Sequence, residues 1–135
     1  SSEEIAYEPL LETAETPVNT MTITSDSVTA FINGQEIPLN HYINEQGEMM
    51  VPARTVSEAL GYDVLWNEGT VILTIKDGAR SATYTIGSTD YALNRMRLQL
   101  KSAPENKDGV TYVPISFIVE ALETEVTIDG ELLAE

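Results

Sequence analysis

Apolar and polar residues alternate from Met21 onward, as Met21-Thr22-Ile23-Thr24 and, past the turn residues Ser25-Asp26-Ser27, as Val28-Thr29-Ala30-Phe31-Ile32. A period of two predicts half-buried strands joined as a β-hairpin. Asn33-Gly34 follows, the pair best suited to a two-residue turn in which both central residues take positive φ, and Gln35 to Leu39 is predicted to pair back. Asn40 to Gly47 reads as a polar loop and Met49-Met50-Val51 as a short buried strand. At Pro52 the period changes. Val56, Ala59 and Leu60 fall at i, i+3 and i+4, which makes one apolar stripe of a two-turn helix, while Arg54 and Glu58 form an i,i+4 pair on another face. Pro52 suits the helix start and Gly61 its left-handed end. Tyr62 to Leu65 alternates as a strand, Trp66 to Thr70 reads as a turn, and strands are predicted at Val71 to Ile75 and Ser81 to Ile86.

The same succession returns. Val51-Pro52-Ala53-Arg54-Thr55-Val56-Ser57-Glu58-Ala59-Leu60 is echoed sixty-two positions later by Val113-Pro114-Ile115-Ser116-Phe117-Ile118-Val119-Glu120-Ala121-Leu122. Asp63 to Asn67 aligns with Glu125 to Asp129, and Ile32 to Ile37 with Leu93 to Leu98. A polar loop at Ser102 to Gly109, a strand at Thr111 to Val113, a helix from Pro114 to Leu122 and a strand at Thr124 to Ile128 complete the second copy. Self-similarity at this period points to a repeated structural unit. The expected fold is α+β, with two repeated β-rich units (about 20–87 and 88–133) whose antiparallel sheets pack on short helices. Helices of two turns are not stable alone and must be held by the sheets. Residues 1–19 hold five glutamates, two prolines and no basic residue, which predicts a flexible acidic leader ahead of a domain at 20–135.

Composition narrows the function. Twenty-two acidic against seven basic residues give a net charge of −15, which repels phosphate backbones and anionic membranes and argues against nucleic acid as a partner. No run nears the roughly 18 apolar residues of a membrane span. Without cysteine the chain has neither disulfides nor thiolate chemistry. His41 is the sole histidine and lies in a polar loop with no nucleophile signature nearby, so it reads as a solvated residue and not a triad base. Glu58 and Glu120 hold equivalent helix positions and form a conceivable acid–base pair, but each lies off the apolar stripe and reads more simply as a solvated or Arg-paired residue. Acidic turns at Asp26, or at Asp63 with Asn67 and Glu68, lack the six to eight oxygens of a calcium site. The single tryptophan, Trp66, ends a strand beside Val64 and is expected in the core; exposed, it would be a stacking platform. Arg54 is expected to tie the helix start to a carboxylate or carbonyl.

Met50-Val51-Pro52-Ala53-Arg54-Thr55-Val56-Ser57-Glu58-Ala59-Leu60-Gly61-Tyr62-Asp63-Val64-Leu65-Trp66-Asn67 resembles the signature of the copper amine oxidase N-terminal domain-like, or stalk, family, V-P-x-R, then E-A-L-G, then V-x-W with Asn or Asp. Thr111-Tyr112-Val113-Pro114 with Glu120-Ala121-Leu122 resembles its second instance, with Ser116 in place of the Arg, Glu123 of the Gly and Ile128 of the Trp. The motif residues are thus Val51, Pro52, Arg54, Glu58, Leu60, Gly61, Trp66, Val113, Pro114, Glu120 and Leu122. The resemblance implies a small sheet wrapped on helices, without copper, on secreted or surface proteins of Gram-positive bacteria. A copper site of the oxidase kind needs three imidazoles, and one histidine cannot supply it. The expectation is therefore a non-catalytic module without cofactor, extracellular or on the cell surface after removal of a signal peptide, associating with envelope proteins or cell-wall components. The alternative is a soluble peptide- or glycan-binding, or inhibitor, module that uses a sheet edge.

Overall fold

The structure, a computed structural model, describes residues 19–67, 70–75 and 80–133. Along the chain come β1 (Thr20–Ile23), β2 (Thr29–Ile32), β3 (Gln35–Pro38), β4 (Tyr42–Ile43), β5 (Met49–Pro52), α1 (Ala53–Ala59), β6 (Tyr62–Asn67) and β7 (Thr70–Ile75). Then follow β8 (Ser81–Thr85), β9 (Asp90–Leu93), β10 (Met96–Gln99), β11 (Glu105–Lys107), β12 (Val110–Pro114), α2 (Ile115–Glu120), β13 (Glu125–Ile128) and β14 (Glu131–Leu132). Among the described residues the strands form three sheets, ordered β14-β13-β1-β2-β3, β10-β9-β8-β7-β6 and β11-β12-β5-β4. Short helices among mainly antiparallel strands make the fold α+β.

Local chemistry fixes several joints. Asn33 (φ 52°) and Gly34 (φ 82°) both adopt the left-handed conformation that the β2–β3 turn needs. The Asn33 side chain also ties β1: its Oδ1 accepts from Thr20 N at 2.9 Å while Asn33 N donates to Thr20 O at 2.9 Å. Asn94 (φ 56°) makes the same pair of bonds with Ser81, at 3.0 and 2.7 Å. Gly61 (φ 97°) ends α1 and donates to Glu58 O. After α2 that place belongs to Glu123 (φ 50°), whose carboxylate takes the Arg80 guanidinium. Neither helix receives a side-chain cap from the proline before it, since Pro52 and Pro114 carry no polar side-chain atom.

β5 is buried along its whole length and pairs antiparallel with β12, with Val51 directly opposite Val113. Val56 of α1 with Leu60 just past its end, and Ile118 of α2 with Leu122 two residues past its end, are buried in one continuous core. Phe117 sits at its centre, its ring centroid 5.6 Å from Tyr84 and 5.3 Å from Tyr91.

The structure departs from the sequence reading in five places. The two polar loops contain the short strands β4 and β11. β14 was not anticipated. β6 runs through Trp66 to Asn67 where a turn was expected. α1 begins at Ala53, one residue after its proline, and α2 ends at Glu120. Finally, β1 and β13 pair in parallel, with Thr20 opposite Glu125 and Ile23 opposite Ile128; two strands a hundred residues apart are free to run parallel because the intervening chain serves as the crossover. The expected leader, residues 1–18, lies outside the described residues.

Candidate functional cleft at Trp66

Strand β6 carries two of the exposed large apolar side chains, Leu65 and Trp66. Tyr62, Val64 and Trp66 alternate onto one face of it, and burial fades along that series: Tyr62 is buried, Val64 half-buried, Trp66 58% exposed. Leu65, on the opposite face, is 61% exposed. Element lengths explain the gradient. A seven-residue helix is about 10 Å long and a six-residue strand nearly 20 Å, so β6, turning back at Gly61 along α1, overshoots the start of the helix. Trp66 therefore stands out beside Pro52, Arg54 and Thr55. The expectation that Trp66 is a core residue is corrected accordingly. At the matching position after α2, Ile128 is covered by β1 through its partner Ile23, whereas β6 is the edge of its sheet and has no strand on that side.

The β11–β12 turn also lines the cleft: Asp108 (φ 53°) and Gly109 (φ 81°) reverse the chain and bring Val110, 42% exposed, and Thr111 to its border. Tyr84 lies at the base. The cleft measures about 370 Å³, and its lining among the described residues includes no carboxylate. Its one permanently charged side chain is Arg54, exposed, with Nη1 3.1 Å from Glu58 Oε2. Burial pushes the Tyr84 phenol up to about 12, against the pull of the Arg54 charge.

Other polar residues are occupied in holding the fold. Glu48 accepts from Ser102 Oγ at 3.0 Å and, through Oε2, from the Ser116 N–H at 3.1 Å, so it satisfies a first-turn donor of α2 that Pro114 cannot reach. Asn44 Nδ2 donates to Ser102 Oγ at 2.9 Å and Tyr91 OH to Ser102 O at 2.6 Å. Tyr42 OH donates to Glu105, beneath Lys107 Nζ at 4.0 Å from its ring centre. His41 Nε2 is 3.0 Å from Ser27 O. Asp129 accepts from Ser25 Oγ at 2.6 Å and from Ser25 N at 2.9 Å, which holds its carboxyl below the usual range. Glu58 and Glu120 are not brought together: the first binds Arg54, the second borders a different depression beside Ser116 and Lys101. Among the described residues no group of three His, Asp or Glu side chains gathers as a metal site, and Glu68 lies outside them. No helix among them is long and apolar enough to cross a membrane.

The profile of the copper amine oxidase N-terminal domain matches residues 40–133. The chain belongs to that family. A protein of Brevibacillus choshinensis named protease inhibitor is 32% identical over 117 residues, which cover 84% of this chain and 36% of that protein. The chain thus spans about a third of the length of this curated relative. No solved structure matches it. The matched region of this copper amine oxidase N-terminal domain starts at β4, yet β1, twenty residues earlier, is the middle strand of the first sheet. The folded body therefore reaches upstream of the matched segment.

Two substitutions separate surface from scaffold. Trp66→Ala is expected to change stability by no more than about 0.5 kcal/mol, as for an exposed side chain; a drop of the size seen on emptying a core would reinstate Trp66 as buried. Glu48→Ala leaves Ser102 Oγ and the Ser116 N–H without their acceptor and is expected to cost about 1 to 3 kcal/mol in urea unfolding. An unchanged midpoint would show that water replaces the carboxylate without loss.

Proposed function

We propose that this chain is a non-catalytic protein-binding module of an exported or cell-surface bacterial protein, with an extracellular protease among the partner classes it meets. The observation that carries this reading is the cleft at Trp66: exposed apolar side chains beside the edge strand β6, with no carboxylate among the described lining residues. Sheet edges present unpaired backbone donors and acceptors and take up extended segments of partners. Glu48, Glu105, Asp129 and His41 are engaged in scaffold contacts, which supports recognition by the exposed surface. The name of the Brevibacillus choshinensis relative supports a protease as partner. Association with envelope proteins or cell-wall components, for spacing within a larger assembly, is the second reading and rests on the family resemblance.

The scaffold would be two tandem units. Val51 opposite Val113 places equivalent residues across a local two-fold axis, β5-α1-β6-β7 is matched by β12-α2-β13-β14, and Asn33–Thr20 is matched by Asn94–Ser81. These correspondences support the reading of two units, expected at about 20–87 and 88–133. Residual-activity assays of secreted serine and metalloproteases against the purified chain test the function. Saturable, stoichiometric inhibition of at least one of them is expected. A chain that is cut by every protease as an ordinary substrate, or that itself turns over a substrate, would overturn it.

A further inference from the structure

We infer that the Trp66 cleft receives an extended segment of the partner that lays an apolar side chain against Trp66 and Val110 and sets a neighbouring carboxylate on the Arg54 guanidinium. The inference rests on the reading of the chain as a protein-binding module and names what that module recognises.

Charge complementarity selects the occupant. The chain carries twenty-two acidic and seven basic residues, so a random patch of its surface would expose carboxylates, yet the described residues of the cleft lining include none and include Arg54. Among the described residues Arg54 pairs with Glu58, Nη1 to Oε2 at 3.1 Å, in an exposed i,i+4 pair of the weak kind. Its planar fork of donors has further N–H groups suited to a bidentate carboxylate. Screening confines repulsion from the more distant acidic surface to about 8 Å at physiological salt, so the charges that act on an incoming carboxylate are the Arg54 guanidinium and the Glu58 carboxylate with which it would share that guanidinium.

The apolar half follows from the lining. Trp66 and Val110 both border the cleft and stand exposed, one on β6, the other at the β11–β12 turn, so an aliphatic side chain seated in the cleft would cover apolar surface of both. An extended backbone suits the site because β6 ends its sheet and offers its outer edge for pairing. A neutral sugar would stack on the indole but would make no use of the strand edge.

Trp66 is the only tryptophan, so its emission reports the cleft directly. The full chain is titrated with the blocked peptide acetyl-Ser-Leu-Glu-Val-Ser-amide, with its Lys-for-Glu counterpart and with chitotetraose. The expected result is a saturable emission shift with the Glu peptide, at least ten-fold weaker binding of the Lys peptide, and a ten-fold or larger loss in Arg54→Gln at an unchanged melting temperature. Val110→Ser is expected to weaken the Glu peptide without changing the preference for Glu over Lys. Equal binding of the two peptides, indifference to Arg54→Gln, a response to chitotetraose alone, or no saturable shift with any of the three would each overturn the inference. Its failure is distinguishable from that of the broader reading. A protease inhibited equally by wild type, Arg54→Gln and Trp66→Ala leaves the binding module standing and removes this site; uptake of the Glu peptide without inhibition of any protease keeps the site and removes the protease.

Discussion

Phe117→Ala is expected to remove about 3 to 5 kcal/mol of stability, a third or more of what a domain of this size commonly has. Phe117 is fully buried and lies on α2, and its ring meets Tyr84 of β8 edge-on at 5.6 Å and Tyr91 of β9 at 5.3 Å. Truncation to a methyl group loses the transfer free energy of the ring and leaves a cavity between two other aromatic rings, which a six-residue helix and short strands are poorly placed to close. The aromatic contacts, each worth roughly 0.5 to 1.5 kcal/mol beyond area, vanish as well. Urea unfolding followed by circular dichroism would show a lowered midpoint with an unchanged slope. Should the alanine variant fail to fold, Phe117→Leu keeps most of the volume and is expected to lose about 1 to 2 kcal/mol. A loss below 1 kcal/mol in the alanine variant would mean that α2 does not seat on the second sheet as described.

That seat explains what the sequence can and cannot reveal. Val56, Leu60, Ile118 and Leu122 repeat at helical spacing, so their inward orientation is a local property and was legible, as was the Asn33-Gly34 turn, whose chemistry lies wholly within two residues. Tyr42–Ile43 and Glu105–Lys107 became strands without a local signal: each is two or three residues long, polar in its surroundings, and exists because β5 and β12 offer open edges to pair with. The alternation Tyr62-Val64-Trp66 correctly puts the tryptophan on the inner face of its strand. Whether that face is covered at Trp66 depends on the length of β6 relative to α1 and on the absence of a neighbouring strand, and neither is written near the residue. Gly109 and Val110 reach the cleft lining from more than forty positions away, and Glu48 meets Ser116 across sixty-eight. Contacts of that separation are set by topology, which period and propensity do not encode.

Raising the pH above 10 is expected to unfold the domain through the tyrosines of this same core. Burial pushes the Tyr84 phenol up to about 12, and it raises Tyr91 as well, with the Glu48 charge adding to the effect. Tyr91 also needs its proton to donate to Ser102 O. In the unfolded chain these groups ionise near 10. Between that value and the folded one, the unfolded state has released protons that the native state retains, so stability falls as pH rises; below about pH 10 both states hold the proton and the full stability is present. Two pH units correspond to about 3 kcal/mol for Tyr84, and Tyr91 adds to it. The growing negative charge of an already acidic chain acts in the same direction, but salt screens that repulsion and leaves the proton-linked part intact. Tyrosinate absorbance and circular dichroism, followed together from pH 9 to 12 at high salt, should therefore show part of the tyrosine signal appearing only with cooperative loss of structure. Tyr84→Phe should move that loss to higher pH. If every tyrosine instead titrates smoothly near pH 10 while the sheets persist, Tyr84 and Tyr91 are open to water and the core around Phe117 is looser than its geometry implies.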